Sequence, residues 1–133
     1  HPRADQLVIA LGTNDSRDYA AGNVERVVAN LSKMIELSRA ARPQMPIILC
    51  APYNINTEGL KRDQDKAMQR EQNIIAFGKA IEKLSVEKKT YFIDFHGAIP
   101  KTSLTADGVH PDTAGHAAIA DVAWKAIKAQ LKW

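Results

Sequence analysis

The sequence predicts an α/β fold in which helices cover a parallel β-sheet. Three times along the 133 residues, a short apolar run is followed by a longer segment with helical periodicity. Short continuous apolar runs are typical of strands that are buried on both faces, as in a parallel sheet. Strands that alternate with helices build such sheets through right-handed crossovers. The length suits one ordinary domain, so we expect residues 1–133 to form a single domain.

The first unit is a strand followed by an amphipathic helix. The strand is the apolar run Leu7 to Leu11, which ends at Gly12. A helix is expected from about Asn23 to Ala41, before Pro43 and Pro46, because apolar residues recur there at three- and four-residue spacing. These residues are Val24, Val27, Val28, Leu31, Met34 and Ile35.

The second unit repeats this order, with a strand from Ile47 to Ala51 that Pro52 ends. A polar loop and a charged helix follow, and the inner face of this helix is expected to contain Met68, Ile74, Ile75, Phe77, Ile81 and Leu84. In the third unit the strand is Tyr91 to Phe95, and a helix is expected from about Asp112 to Leu131. The apolar stripe of this last helix consists of Ile119, Val122, Ala123, Ala126 and Ile127.

This topology brings three loops together. The carboxyl ends of parallel strands lie at one edge of the sheet, where ligands bind in open α/β folds. The loops that start at Gly12, Tyr53 and His96 should therefore converge. We expect Tyr53 to shape the substrate side of this edge.

The composition excludes several classes of protein. The chain is 45% hydrophobic and 25% charged, and no apolar run is long enough to span a bilayer. The net charge is +3, but no aromatic platform or basic cluster accompanies the lysines of the last helix, so no nucleic-acid partner is expected. A single cysteine, Cys50, rules out an intrachain disulfide, and its apolar neighbours favour a buried thiol.

A polar cluster, Gly12-Thr13-Asn14-Asp15, follows the first strand directly. Glycine lets the backbone turn sharply, and Asn14 then presents its amide at the edge of the sheet. An amide held at this place can donate a hydrogen bond to a developing oxyanion. The alternative is that Asn14 and Asp15 only form a turn and start a helix.

A second cluster, Asp107-Gly108-Val109-His110-Pro111, precedes the last helix. An aspartate three residues before a histidine, across a glycine, can fold back so that its carboxylate accepts the proton of the imidazole Nδ1. The other nitrogen, Nε2, is then free to act as a base. Pro111 holds His110 in an extended conformation at the end of the loop. The alternative is a helix cap made by Asp112 or Thr113, with His110 incidental.

No metal or organic cofactor is expected. Asp107, His110, Asp112 and His116 are close in sequence, but their spacing matches none of the usual zinc signatures. The sequence also has no glycine-rich phosphate-binding loop. We interpret His96 as a structural histidine, and His116 as a surface or packing residue.

The two polar clusters together closely resemble two signature blocks of the SGNH hydrolases, which are GDSL-like lipases and esterases. The matching segments are Leu-Val-Ile-Ala-Leu before Gly-Thr-Asn-Asp, and Asp-Gly-Val-His-Pro-Asp-Thr-Ala-Gly-His before the last helix. The resemblance covers essentially the whole chain and implies a flavodoxin-like, three-layer α/β/α fold. It also implies that Asn14 is an oxyanion-hole donor, that His110 is the general base and that Asp107 orients His110. The remaining residues of the first cluster are expected to contact the substrate: Gly12, Thr13 and Asp15.

The resemblance is incomplete at one point. The family has an opening Gly-Asp-Ser block that carries the nucleophilic serine, and the 133 residues do not contain it. None of the five serines follows a strand in that context: Ser16, Ser32, Ser38, Ser85 and Ser103. We therefore expect the first strands and the nucleophile to come from a separate polypeptide or from a neighbouring copy. Without them, the strand from Leu7 to Leu11 should be an exposed edge.

The resemblance implies a carboxylic ester hydrolase that acts through serine, histidine and aspartate on small esters, with acetylated carbohydrates among the candidate substrates. One alternative is a catalytically inactive remnant that binds an ester or glycan without cleaving it. Another is an unrelated flavodoxin-like binding or signalling domain, in which the two clusters coincide by chance. A large distance between Asn14 and His110 would remove the first two interpretations. The sequence does not predict the cellular compartment.

Overall fold

A computed structural model describes residues 4–60 and 64–131 of the chain. Three parallel strands form one sheet in the order β1-β2-β3: β1 (Leu7–Ala10), β2 (Ile47–Cys50) and β3 (Tyr91–Ile93). Each strand is followed by a long helix: α1 (Asn23–Ala41), α2 (Gln64–Glu87) and α3 (Thr113–Leu131). Two short 3-10 helices lie in the loops, at Asp15–Arg17 and Lys101–Ser103. The alternation of strands and helices predicted from the sequence is confirmed.

Helices α1 and α2 cover one face of the sheet. Side chains of β1 and β2 at alternating positions, such as Ile9 and Leu49, pack against Ile35 of α1 and Phe77 of α2 in one buried cluster. Phe77 is completely buried, and burial of a side chain of this size contributes about 2–3 kcal/mol to folding.

Helix α3 covers the opposite face, so the fold has three layers. Ile48 and Cys50 of β2 and Ile93 of β3 pack on this side against partly buried side chains of α3. Among the residues of α3 that the structure describes, only Gly115 is buried. Val8 of β1 pairs with Ile48 and therefore shares this face, yet 46% of its surface remains exposed. Helix α3 thus protects β2 and β3 and leaves β1 uncovered on this side.

The two edges of the sheet differ. At the outer edge of β3, Gln130 of α3 occupies the place of a further strand: its side-chain amide donates to the Phe92 carbonyl at 2.8 Å and accepts from the Phe92 N–H at 3.2 Å. At the outer edge of β1, no strand is paired in the part of the chain that the structure describes. The edge that the sequence predicts to be exposed is therefore open.

Several details of the sequence prediction are wrong. The strands end at Ala10, Cys50 and Ile93, one or two residues earlier than predicted, because the chain turns away there into the loops. Met34, Met68 and Ile75, which were assigned to inner helix faces, are exposed. On α2 the buried stripe instead includes Ala67 and Arg70: Arg70 lies three residues after Ala67 and four before Ile74.

No helix within residues 4–60 and 64–131 combines the length and the apolar composition that a membrane crossing requires.

Candidate active site

Loops from the carboxyl edge of all three strands line one open cavity of about 680 Å³. Asn14 comes from the loop after β1, Gly59 and Leu60 from the loop after β2, and Asp107 and His110 from the segment after β3. The predicted convergence of these loops is therefore observed. Other lining residues are Arg17, Tyr19, Lys66, Ala67, Arg70, Ala106 and Val109.

Asp107 and His110 form a hydrogen-bonded pair at the cavity wall. The imidazole Nδ1 of His110 lies 2.5 Å from Oδ2 of Asp107. The other carboxylate oxygen accepts bonds from the backbone N–H of His110 at 2.9 Å and of Val109 at 2.8 Å, and from the Thr105 hydroxyl at 2.8 Å. These donors, with the His110 backbone N–H foremost, hold the pKa of Asp107 well below its usual range. The carboxylate is therefore ionised at neutral pH and fixes the imidazole with its Nδ1 as donor.

The second imidazole nitrogen of His110, Nε2, has no protein partner in the described part of the chain. His110 is exposed and lines the cavity. An imidazole that donates from Nδ1 to a carboxylate presents a lone pair at Nε2, which can accept a proton from a nucleophile.

The loop that holds this pair is a short antiparallel hairpin. Leu104 bridges Pro111, the Thr105 N–H donates to the His110 carbonyl at 2.7 Å, and Val109 inserts into an apolar cluster with Ile55 and Ile74. At its end, Asp112 accepts the Gly115 N–H at 2.8 Å and caps α3. The helix cap and the Asp107–His110 pair, which the sequence left as alternatives, are present together.

Asn14 lies in the loop after β1, and its side chain takes no part in the hydrogen bonds that hold this loop together. Gly12 has φ +117°, a conformation that favours glycine, so the predicted sharp turn is observed. Asn14 begins the short 3-10 helix, but its side chain makes no capping bond. Asn14 is exposed, lines the cavity and has no side-chain partner among residues 4–60 and 64–131. Its amide is thus available to a bound molecule.

Side chains from α2 fix this loop in place. The Ser16 hydroxyl is fully buried and donates to the Thr13 carbonyl at 2.6 Å. Arg70 donates from Nε to the Ser16 hydroxyl at 2.9 Å and from Nη2 to the Thr13 carbonyl at 3.1 Å. Asn73 donates to the Ser16 carbonyl at 3.0 Å. These bonds to the Thr13 and Ser16 carbonyls and to the Ser16 hydroxyl anchor the backbone on both sides of Asn14.

The loop after β2 is tied to the segment after β3. Asn54 accepts the Gly97 N–H at 3.0 Å and donates to the Ile99 carbonyl at 2.9 Å. The Asn56 N–H donates to the Gly108 carbonyl at 2.8 Å. Gly108 has φ +70°, and a side chain there would approach the Asn56 carbonyl to 2.8 Å. Glycine at this position therefore allows the His110 loop to pack against its neighbour.

The predicted site residues fall into two groups. Asn14, Asp107 and His110 line the cavity together. The four residues predicted to contact substrate are not part of its lining, and their roles stay predictions: Gly12, Thr13, Asp15 and Tyr53. Tyr53 packs among the residues under α3, where burial raises the pKa of its phenol and the hydrogen bond with the Thr13 side chain opposes that shift.

Two other histidines and the cysteine lie outside the described cavity lining. His96 is bonded through Nε2 to Glu71 at 2.8 Å, as expected of a structural histidine, and His116 is exposed on α3. Cys50 is buried, as predicted, and burial raises the pKa of its thiol to about 12. No group of three or more potential metal ligands occurs among the residues that the structure describes.

No serine lines the cavity. Ser16 is buried within the Asn14 loop, Ser32 and Ser38 lie on α1, and Ser85 is buried on α2. Ser103 belongs to the second 3-10 helix. The described residues therefore supply a base, its orienting carboxylate and an amide donor, without a hydroxyl nucleophile beside them.

The sequence interpretation missed Arg17 and Arg70 as cavity residues. A signal for Arg70 existed, because it lies three residues after Ala67 and four before Ile74, on the same helical stripe. A cation on a buried stripe needs a partner, and this requirement points toward a polar site. No comparable signal marks Arg17.

Comparisons with known proteins identify the family and the fold of the chain. The sequence profile of the GDSL-like lipase/acylhydrolase family matches residues 1–118. A putative GDSL-like lipase from Parabacteroides merdae has a similar structure, with 27% identity, a TM-score of 0.76, and coverage of 92% of this chain and 59% of that one. A lipase/acylhydrolase from Enterococcus faecalis has 22% identity, a TM-score of 0.71, and coverage of 96% and 63%.

A catalytic mutant of an acetylxylan esterase from Geobacillus stearothermophilus is also similar, with 24% identity, a TM-score of 0.68, and coverage of 92% of this chain and 59% of that one. The chain thus spans about three fifths of the length of these structures. No curated protein sequence is similar enough to count as a match. The profile match covers most of the sequence, and the structural matches share its three-layer α/β/α fold. The chain belongs to the GDSL-like lipase/acylhydrolase family.

Proposed function

We propose that the protein is a carboxylic ester hydrolase with a serine nucleophile, and that this chain supplies its general base and an oxyanion donor. One observation carries the proposal: His110 and Asn14 line the same cavity, and both Nε2 and the Asn14 amide lack a protein partner in the described residues. Asp107 fixes His110 in the tautomer that a base requires.

In the proposed reaction, His110 accepts and returns one proton when the acyl-serine forms and another when it is hydrolysed. Its Nε2 takes the proton of the serine hydroxyl while the serine oxygen attacks the ester carbonyl, and the Asn14 amide stabilises the resulting oxyanion. The intermediate collapses, the acyl group stays on serine, and the alcohol leaves with the proton from His110. Water then attacks the acyl-serine by the same route and releases the acid. Loss of one oxyanion donor lowers kcat by a factor of about 10²–10³ in such enzymes.

The nucleophilic serine is proposed to lie outside these 133 residues, in a segment that joins the sheet beside β1. Two features support this placement. The outer edge of β1 has no paired strand among the described residues, whereas Gln130 occupies the opposite edge. The face of β1 that α3 leaves uncovered exposes Val8, and an added strand with its own helix would bury it.

The proposed substrates are esters of small acyl groups on carbohydrates. This step rests on the similarity to the acetylxylan esterase from Geobacillus stearothermophilus. The cavity is open to the surface, and its volume of about 680 Å³ falls in the range typical of small-molecule sites.

A second candidate function is an inactive remnant that binds an ester or a glycan. The observation that favours it is the location of the five serines, none of which lines the cavity. The two candidate functions differ in turnover, because the hydrolase cleaves the ester and the remnant only binds it.

The test measures hydrolysis of p-nitrophenyl acetate and of acetylated xylo-oligosaccharides by the protein isolated with any polypeptide that copurifies. His110→Gln should abolish turnover, and Asn14→Ala should reduce kcat by roughly two orders of magnitude. His116→Gln is the matched control, because His116 is exposed on α3 outside the cavity lining. Wild-type rates from the His110→Gln variant would overturn the mechanism. Saturable binding of the acetylated oligosaccharide without turnover would favour the remnant.

A further inference from the structure

Within residues 4–60 and 64–131, two guanidinium groups line the cavity that contains Asn14 and His110. Arg17 is exposed at the last position of the short 3-10 helix, and Arg70 is 7% exposed on α2. Neither arginine forms an ion pair with a carboxylate in residues 4–60 and 64–131. Unpaired cations are thus concentrated beside the proposed reaction centre.

Arg70 has only neutral partners. Its Nε and Nη2 donate to the Ser16 hydroxyl and to the Thr13 carbonyl. Its remaining terminal nitrogen, Nη1, has no bond to any described residue. A buried guanidinium is ordinarily paired with a carboxylate, because its desolvation is costly. Burial and then the positive charge of Arg17 lower the pKa of Arg70, and its attraction to Tyr19, Tyr53 and the Asp107 carboxylate offsets this shift only in part.

Among the described lining residues the only carboxylate is that of Asp107, which attracts Arg70 from a distance but forms no ion pair with it. Asp107 is bonded through one oxygen to the His110 imidazole and through the other to two backbone N–H groups and the Thr105 hydroxyl. Its hydrogen-bonding capacity is therefore used within its own loop. Among the described lining residues, the two guanidinium groups of Arg17 and Arg70 therefore outnumber the carboxylate and present positive charge to a bound molecule.

We propose that Arg17 and the free Nη1 of Arg70 bind a negatively charged group of the ester, a carboxylate or a phosphate, carried on its acyl or its alcohol side. Guanidinium forks match the paired oxygens of such groups, and the bonds are charge-assisted. This inference rests on the proposed hydrolase function and adds the substrate class to it. Among the acyl esters proposed above, those that carry a negative charge are therefore preferred, and neutral acetyl esters are the poorer substrates because they leave Arg17 without a partner.

Arg17 is the residue to change, because Arg70 also holds the Asn14 loop and its loss would disturb the site. In Arg17→Gln the long polar side chain is kept and the charge is removed. The matched control is Arg39→Gln, because Arg39 is partly buried on α1 and donates to the Lys89 carbonyl, away from the cavity.

The first experiment measures binding and does not depend on turnover. Succinate, and separately inorganic phosphate, is titrated into the folded protein while the backbone amide resonances around Asn14 and Arg17 are followed, with neutral succinamide as the comparison. Loss of one charge-assisted bond should weaken succinate binding about tenfold in Arg17→Gln and leave it unchanged in Arg39→Gln. Equal binding of succinate and succinamide, or equal affinities of the two variants, would overturn the inference.

The second experiment measures hydrolysis and identifies which side of the ester carries the charge. On the acyl side, p-nitrophenyl hemisuccinate is compared with its methyl ester. On the alcohol side, 4-acetoxybenzoate is compared with 4-acetoxybenzamide. One anionic substrate should exceed its neutral partner in kcat/KM by about tenfold, and Arg17→Gln should remove the difference. Equal turnover rates for all four esters would contradict the proposed anion site and leave the proposed hydrolase function standing. Binding of succinate through Arg17 without turnover of any ester would support the site and contradict the hydrolase.

Discussion

Replacing Gly115 by alanine separates helix propensity from packing, since the two make opposite predictions. Gly115 lies in the first turn of α3 and is buried. On propensity alone, alanine would stabilise a helix by up to about 1 kcal/mol relative to glycine. A Cβ at this position, however, would lie well inside van der Waals contact with the Ser103 carbonyl oxygen. It would also come within 3.0 Å of Pro111 Cβ and 3.2 Å of Ile99 Cγ2.

The expected net effect is a destabilisation of about 1–3 kcal/mol. Overpacking a filled site costs about 1–3 kcal/mol. Movement of the Ser103 carbonyl also strains the bond that it accepts from the Asp112 N–H at 3.0 Å, and such a bond contributes about 1 kcal/mol. The gain in helix propensity offsets only about 1 kcal/mol of this sum.

The assay is urea unfolding of Gly115→Ala beside a control, Gly78→Ala. Gly78 lies within α2, and a Cβ there would meet only Ala51 Cβ at 3.5 Å, an ordinary contact. The control should therefore be stabilised by up to about 1 kcal/mol. Because Ser103 and Pro111 flank the hairpin of Asp107 and His110, Gly115→Ala should also reduce ester hydrolysis. A Gly115→Ala variant as stable as Gly78→Ala would refute the packing argument.

Two further predictions follow from the pKa values of single groups. Cys50, whose pKa is raised to about 12 by burial, should react with a thiol reagent at pH 8 far more slowly in the native protein than in urea, and equal rates would contradict its burial. Asp107 has a depressed pKa in the folded state, so its carboxylate stabilises the fold above the unfolded pKa of about 4, and this contribution is lost as the pH falls toward the folded pKa. The difference in Tm between wild type and Asp107→Asn should accordingly shrink from pH 6 to pH 2, whereas a constant difference would show that the ionised carboxylate contributes no stability.

The fold could be predicted because its signals are local and repeated. The boundaries of α1 at Asn23 and Ala41 follow from a stripe of apolar residues that begins after Gly22 and ends before Pro43. The predicted inner face of a helix was wrong where its apolar residues allow two rotations of the helix about its axis. Met68 and Ile75 are apolar, yet α2 rotates so that Ala67 and Arg70 face inward, because Arg70 there satisfies the Thr13 carbonyl.

The site could be predicted only in part, for a related reason. Asp107 and His110 are three residues apart, so a hairpin across Gly108 suffices to bring carboxylate and imidazole together. Arg70 and Thr13 are 57 residues apart, and their contact depends on how α2 crosses the sheet. The cationic lining of the cavity arises from such distant pairs, and periodicity does not reveal them.

The central claim is that His110 activates a serine that lies outside these 133 residues. Intact-mass analysis after treatment with a fluorophosphonate probe tests it most directly, with His110→Gln and His116→Gln treated in parallel. The claim predicts an adduct on a copurifying polypeptide, present with His116→Gln and strongly reduced with His110→Gln. An adduct on a serine of this chain, or labelling that does not depend on His110, would contradict it.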